Sequence, residues 1–197
     1  VGLSNEVRVN ALAGDAQSFV DRIAERLRGW PEHGEQDASW PKRFLESENE
    51  LVRVALYRPT GNVNRWEKVQ AAGPETEMQV PFGKALARGA WAQAISLDDK
   101  PGVRLAVAIS GKPGAENDVG RDFVAVADVR ADRWLSLLAR NRGTEASFTF
   151  LADSEGKPVI SGGLSDLDSL PILQSAIASP SRLGPLCTLT LPYRAAE

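Results

Sequence analysis

The side chains of this chain best suited to chemistry are Tyr57, the pair Arg65–Trp66, Arg104 and Asp128. A guanidinium at 65 or 104 can hold a carboxylate through paired N–H donors, and Trp66 or Tyr57 can supply the apolar wall of a small-molecule site. Asp128 ends the apolar run Phe123-Val124-Ala125-Val126-Ala127 and precedes a helical pattern. Its carboxylate can therefore cap that helix or meet a ligand. Ordinary structural roles are open to the others as well. Arg104 suits a solvent-facing strand position, Tyr57 the edge of a sheet, and Arg65–Trp66 the end of a strand.

Covalent catalysis has few residues to draw on. The chain has one histidine, His33, in the turn-like stretch Trp30-Pro31-Glu32-His33-Gly34-Glu35, and one cysteine, Cys187, alternating with Leu189 and Leu191. His33 reads as a surface loop residue and Cys187 as a small buried apolar one. Asp98–Asp99 is loop-like, and no base and nucleophile stand at a recognisable spacing. No cluster of His, Cys and carboxylates has metal-ligand spacing either, so no enzyme activity, metal or other cofactor is expected.

Composition narrows the partners. A net charge of −3 without a Lys/Arg cluster argues against a phosphate-binding surface and hence against nucleic acid. With 197 residues, 43% of them hydrophobic, the chain can bury one good core and a smaller satellite. No apolar run approaches the roughly 20 residues of a membrane-spanning helix. The start lacks the basic and apolar regions of a signal peptide. The segment is thus expected to be soluble as it stands, and its Val1 start suggests a processed product or a piece of a longer protein.

The elements that must position these residues follow from hydrophobic spacing. Leu12, Ala16, Phe19, Val20, Ile23, Leu27 and Trp30 recur every three or four positions and predict a long amphipathic helix ending at Gly29-Trp30-Pro31. A short helix is expected from Trp40 to Glu48, with Trp40–Pro41 at its start. Leu51 to Val63 reads as a strand, a turn at Pro59 and Gly61, and the beginning of a partner strand. A short helix in Pro81 to Gly89 and a strand from Trp91 to Ser96 come next. Leu105, Val107 and Ile109 mark a further strand, Lys112 to Gly120 a loop, and Phe123 to Val129 another strand. The helix after it carries Trp134, Leu135, Leu137 and Leu138 toward a sheet. Short connections predict that this sheet is antiparallel.

Ser147 to Ile160 repeats the device of strand, turn and strand, with Gly156 in the role of Gly61. A helix from Asp166 to Ala178, interrupted by Pro171, and a strand from Leu186 to Leu191 are expected after it. Too little sequence remains for a complete second unit. A truncated second module and an extension of the first are both open.

Apolar strands around a polar loop, an acidic residue at the end of the second strand and a short helix after it, all within Val103 to Leu138, resemble the Cache domain. Cache domains are PAS-like extracytoplasmic sensors of bacterial receptors. The resemblance implies an α+β fold, with a PAS-like central antiparallel sheet flanked by a long N-terminal helix and a second small or incomplete PAS-like unit. It divides the chain into an N-terminal helical segment, 1–46, a sensor module, 47–144, and a second small module, 145–197.

The implied function is signal sensing in the periplasm by a histidine kinase, chemoreceptor or nucleotide cyclase, with no chemistry of its own. Implied partners are a small ligand (amino acid, amine or carboxylate), flanking transmembrane helices in the parent protein, and a second copy joined through the N-terminal helix. In Cache domains that bind amino acids, an Arg and a Trp meet the ligand carboxylate, and an aromatic and a late Asp meet its amine. Arg65–Trp66 and Asp128 hold the corresponding places here. The intervening aromatic is missing, since Trp91, near where it would be sought, is expected in the core. The alternative is a cytoplasmic PAS- or GAF-like interaction module without a small ligand.

Overall fold

A computed structural model describes residues 2–30, 37–60, 65–75, 79–109, 123–140, 147–153, 155, 157–160 and 187–192. In chain order the elements are α1 (Gly2–Arg28), α2 (Trp40–Ser47), β1 (Leu51–Pro59), β2 (Trp66–Ala72), α3 (Phe82–Arg88), β3 (Ala90–Leu97), β4 (Lys100–Ile109), β5 (Phe123–Arg130), α4 (Asp132–Arg140), β6 (Ser147–Ala152), β7 (Pro158–Ile160) and β8 (Cys187–Pro192). Five strands form one sheet in the order β2-β1-β5-β4-β3. β1 runs antiparallel to both β2 and β5. β3 and β4 are joined through Asp98 and Asp99, a connection so short that only antiparallel neighbours can use it. The fold is therefore the expected α+β arrangement around an antiparallel sheet.

Contacts gather the chain into two compact units, residues 21–91 with 104–129, and residues 1–20 with 92–103 and 130–197. In the first of these, burial is two-sided. Every residue of β5 from Val124 to Val129 is buried, so neighbours pointing to opposite faces are both covered. Ala106 breaks the alternation of Leu105 and Val107 because it faces a packed layer rather than water. That layer is Ala106, Val124 and Val126 against Ala85 and Trp91, rimmed by Tyr57, Trp66, Val80 and Phe82. Trp91 thus fills the core, as its pattern predicts, with Lys84 Nζ 4.7 Å and Arg88 Cζ 4.9 Å from its ring centre.

The end of α1 is fastened to this unit. Ile23, Ala24, Leu27 and Trp30 are buried, which is the face the three-and-four spacing marks. Trp30 packs on Trp40 and Trp40 on Phe44, both with ring centres 4.9 Å apart. The Trp30 indole N–H donates to Gln70 Oε1 of β2 at 2.8 Å. Arg22 and Arg26 reach Glu48 at 3.1 and 2.5 Å.

In the other unit Ala16, Phe19 and Val20 are buried, and Phe19 meets Trp134 edge-on at 5.6 Å. Asp15 accepts from Arg133 Nε and Nη2 at 3.0 and 2.5 Å. The small sheet has the order β7-β6-β8, with β6 antiparallel to both neighbours. Asp153, just after β6, is buried and fully used. Its Oδ1 accepts the backbone N–H groups of Glu155 and Lys157 at 2.8 and 2.9 Å, and its Oδ2 that of Ala94 at 2.8 Å. The turn residues Gly61, Gly156 and Lys112 to Gly120, His33, and the helix expected over Asp166 to Ala178 lie outside the described residues, as do the side chains of Leu12, Leu137, Leu138 and Cys187.

Two turns carry opposite expectations. Gly73 has φ +101°, and a Cβ there would lie 2.4 Å from the Val52 carbonyl oxygen and 2.9 Å from Arg53 Cα. Gly73→Ala should lower the unfolding free energy by about 2 kcal/mol or more in urea titration. Asp98 and Asp99 instead hold φ of 50° and 61° without glycine. Asp99→Gly should raise stability by up to about 1 kcal/mol, because a two-residue hairpin turn with positive φ favours Asp-Gly.

Candidate functional site

Strand pairing assembles the charged residues. Arg53 of β1 and Asp128 of β5 are direct cross-strand partners. β4 flanks β5 on its other side and brings Arg104. The Asp128 side chain is 0% exposed, and those of Arg53 and Arg104 are 8% and 11% exposed. Asp128 Oδ2 accepts from Arg53 Nε at 3.0 Å and also from Arg53 Nη2. Arg104 Nε donates to Oδ1 at 2.7 Å and Arg104 Nη2 to Oδ2 at 3.0 Å. One carboxylate thus lies between two guanidiniums and receives four of their N–H groups. A buried carboxylate without such donors costs several kcal/mol, so the arrangement is what makes an aspartate tolerable in the middle of the sheet.

The chain that follows β2 supplies further acceptors. Gly73 turns it across β1, and Pro74 O accepts from Arg53 Nη1 at 3.4 Å. Gln79 O accepts from Arg104 Nη1 at 3.3 Å. Both arginines are thereby held by backbone carbonyls as well as by Asp128.

An aromatic group adjoins the ions. Regular pairing from Arg53↔Asp128 to Tyr57↔Val124 puts Arg53 and Tyr57 on the same side of β1, and Asp128, Val126 and Val124 on the same side of β5. Trp66 and Phe82 stack at 4.5 Å with 7° between their planes, and Tyr57 meets Phe82 at 5.2 Å. Burial pushes the Tyr57 phenol above its usual range, against the pull of Lys68, Arg53 and Arg104 toward the phenolate.

These positions correct several expectations. Asp128 does not cap a helix: its oxygens are taken by arginines, and α4 begins only at Asp132. Arg104 is not a solvent-facing strand residue, because its charge is drawn onto Asp128. Tyr57 lies on β1 between β2 and β5, not at the sheet edge. Trp66 joins Tyr57 in the aromatic group, whereas Arg65 is exposed just before β2 and stays out of the charged cluster among the described residues. Its carbonyl closes the hairpin, accepting from Thr60 N at 2.9 Å and Thr60 Oγ1 at 3.2 Å.

Arg53 and Phe82 were missed. The signal for Arg53 is a lone charge inside Leu51-Val52-Arg53-Val54-Ala55-Leu56, which burial would force to find an acid. Among the described residues no group of three or more His, Cys, Asp or Glu side chains could hold a metal ion.

Removing one partner of a buried ion pair leaves the other unpaired, so Asp128→Ala should cost about 3–5 kcal/mol in chemical denaturation. A double-mutant cycle of Arg104→Ala with Asp128→Ala should give a coupling of at least about 1.5 kcal/mol, and a coupling near zero would return Arg104 to solvent. Tyr57 sets an alkaline limit. Its folded phenol holds its proton more tightly than the unfolded one, so its contribution is complete below the ordinary phenol range and is lost as pH rises through the folded value. Denaturation midpoints of Tyr57→Phe should therefore fall less steeply than the parent's across that alkaline range.

No known protein family and no curated protein matches the sequence. Solved structures match the fold. The ligand-binding domain of the Pseudomonas aeruginosa PAO1 amino acid chemoreceptor PctC, in complex with GABA, is 14% identical with a TM-score of 0.52 over 81% of this chain and 74% of that one. Methyl-accepting chemotaxis protein X is 13% identical with a TM-score of 0.58, covering 95% and 96%. The extracellular domain of rpHK1S-Z16, a protein named as a histidine kinase, is 13% identical with a TM-score of 0.53, covering 96% and 90%. With its five-stranded antiparallel sheet and long N-terminal helix, the chain shares the α+β, PAS-like fold of these solved domains.

Proposed function

We propose that this chain is an extracytoplasmic signal-sensing domain of a bacterial transmembrane receptor, a chemoreceptor, histidine kinase or nucleotide cyclase, without catalytic activity of its own. One observation carries the reading: a buried charged cluster and an aromatic group share one side of the sheet in a fold common to receptor sensor domains. The likeness to extracellular and ligand-binding domains favours it over a cytoplasmic interaction module. No helix among the described residues is long and apolar enough to cross a membrane, so the reading places flanking spans in the parent protein.

The proposed ligand residues are Tyr57, Trp66, Arg104 and Asp128, with Arg65 beside Trp66. Arg53 and Phe82 are added by their contacts. The ligand is a small amino acid, amine or carboxylate held by charge at one end and aromatic surface at the other. Signalling is a population shift: a ligand that prefers one placement of β2 biases α1, whose end is bonded to β2 through Trp30 and Gln70. Pairing of two copies through α1 would carry that bias onward. In this scheme 1–46 transmits, 47–144 senses, and 145–197 is a second, smaller module.

The test is a thermal-shift screen of the full chain against amino acids, amines and carboxylates. A ligand at a hundredfold excess over its Kd should stabilise by about 2.7 kcal/mol. Trp66→Ala should weaken a hit at least tenfold, and a hit indifferent to it places the ligand elsewhere. A parent reading frame with no membrane span on either side would overturn the receptor assignment.

A further inference from the structure

The charged cluster specifies a ligand chemistry, and it differs from the one an isolated aspartate would suggest. Asp128 has no exposed side-chain surface and takes four guanidinium N–H groups. An incoming ammonium would have to displace an arginine and then sit beside its charge. A carboxylate meets the opposite situation. The donor pairs Nε and Nη2 of Arg53 and Arg104 point at a carboxylate position, and the remaining Nη1 groups are held by Pro74 O and Gln79 O at 3.4 and 3.3 Å. Strand pairing fixes the backbone of Arg53 and Arg104 on either side of β5, and the carbonyls hold each guanidinium at a second point besides Asp128.

We infer that Arg53 and Arg104 form a carboxylate-binding cradle whose resident occupant is Asp128, so that the ligand class of this site is anionic rather than amine. An external carboxylate engages it by taking the place of the Asp128 side chain. The inference deepens the sensor reading and rests on it for the existence of an external ligand. The cradle itself follows from the geometry.

The experiment vacates the cradle. Asp128→Ala, in the full chain, removes the carboxylate and leaves room for one. Its melting temperature is measured in sodium formate, with sodium chloride at equal ionic strength, acetamide and methylammonium chloride as controls. The variant should melt below the parent in chloride and recover by about 5 °C in formate, in a saturable manner. Acetamide and methylammonium should do no more than chloride. In Asp128→Asn the amide fills the same space, so formate should give no recovery. Asp128→Ala combined with Arg104→Gln should also lose it.

If Asp128→Ala has no cooperative melt in chloride, formate should restore one. A variant that stays unfolded in formate, an equal response to methylammonium, or recovery that persists without Arg104 would overturn the cradle. Recovery in formate with no ligand response in the parent screen would instead overturn the sensing reading and leave the cradle standing. A parent ligand without formate recovery does the reverse.

Discussion

The burial of one carboxylate, that of Asp128, constrains much of the sheet. An ion that deep must be met by donors, and here they come from the strands on either side. Arg53 on β1 and Arg104 on β4 meet that need, which ties the local order β1-β5-β4 to the register Arg53↔Asp128. A slip of one residue would turn Arg53 to the other face and leave the aspartate unpaired, so the ions specify register as strongly as the apolar residues do. The same requirement explains the close passage at Gly73, where the chain must cross β1 near Arg53 before offering Pro74 O as an acceptor.

Packing extends from this point in two directions. Toward the ends of β1 and β5 the covered face becomes aromatic, with Tyr57, Phe82 and Trp66 in contact and Trp91 buried beneath Lys84 and Arg88. Toward β2 it reaches Gln70 and so the indole of Trp30, where the last turn of α1 is stacked on α2. A change in the position of β2 cannot leave the end of α1 where it was without breaking that bond. For the proposed sensor this bond is the physical link between site and output helix, and it needs no rearrangement of the core.

Asp153 offers a contrast in how a buried carboxylate is satisfied. It takes three backbone N–H groups, from Glu155, Lys157 and Ala94. Those donors carry no net charge and cannot leave, so Asp153 fixes a turn and meets the edge strand β3. Asp128 is met instead by two charged guanidiniums, those of Arg53 and Arg104. At similar burial the two carboxylates thus differ in donor type, neutral backbone N–H groups for one and charged guanidiniums for the other.

What the sequence by itself determined is local and periodic. The spacing of Ala16, Phe19, Val20, Ile23, Leu27 and Trp30 is sufficient to define a helix and its buried face, because neighbours three and four apart meet whatever the rest of the chain does. Pro59, Gly61 and short connections likewise imply antiparallel strands, and Trp91 is read as core from its surroundings alone. The charged site could not be read this way. Asp128 contacts Arg53 across a separation of 75 residues and Arg104 across 24, and either arginine alone looks like a surface charge on a strand. Only the order in which the strands pair decides which charges become neighbours. A hydrogen-bonded ion pair forms only when its N and O atoms come within about 4 Å, and the tertiary structure alone closes that distance.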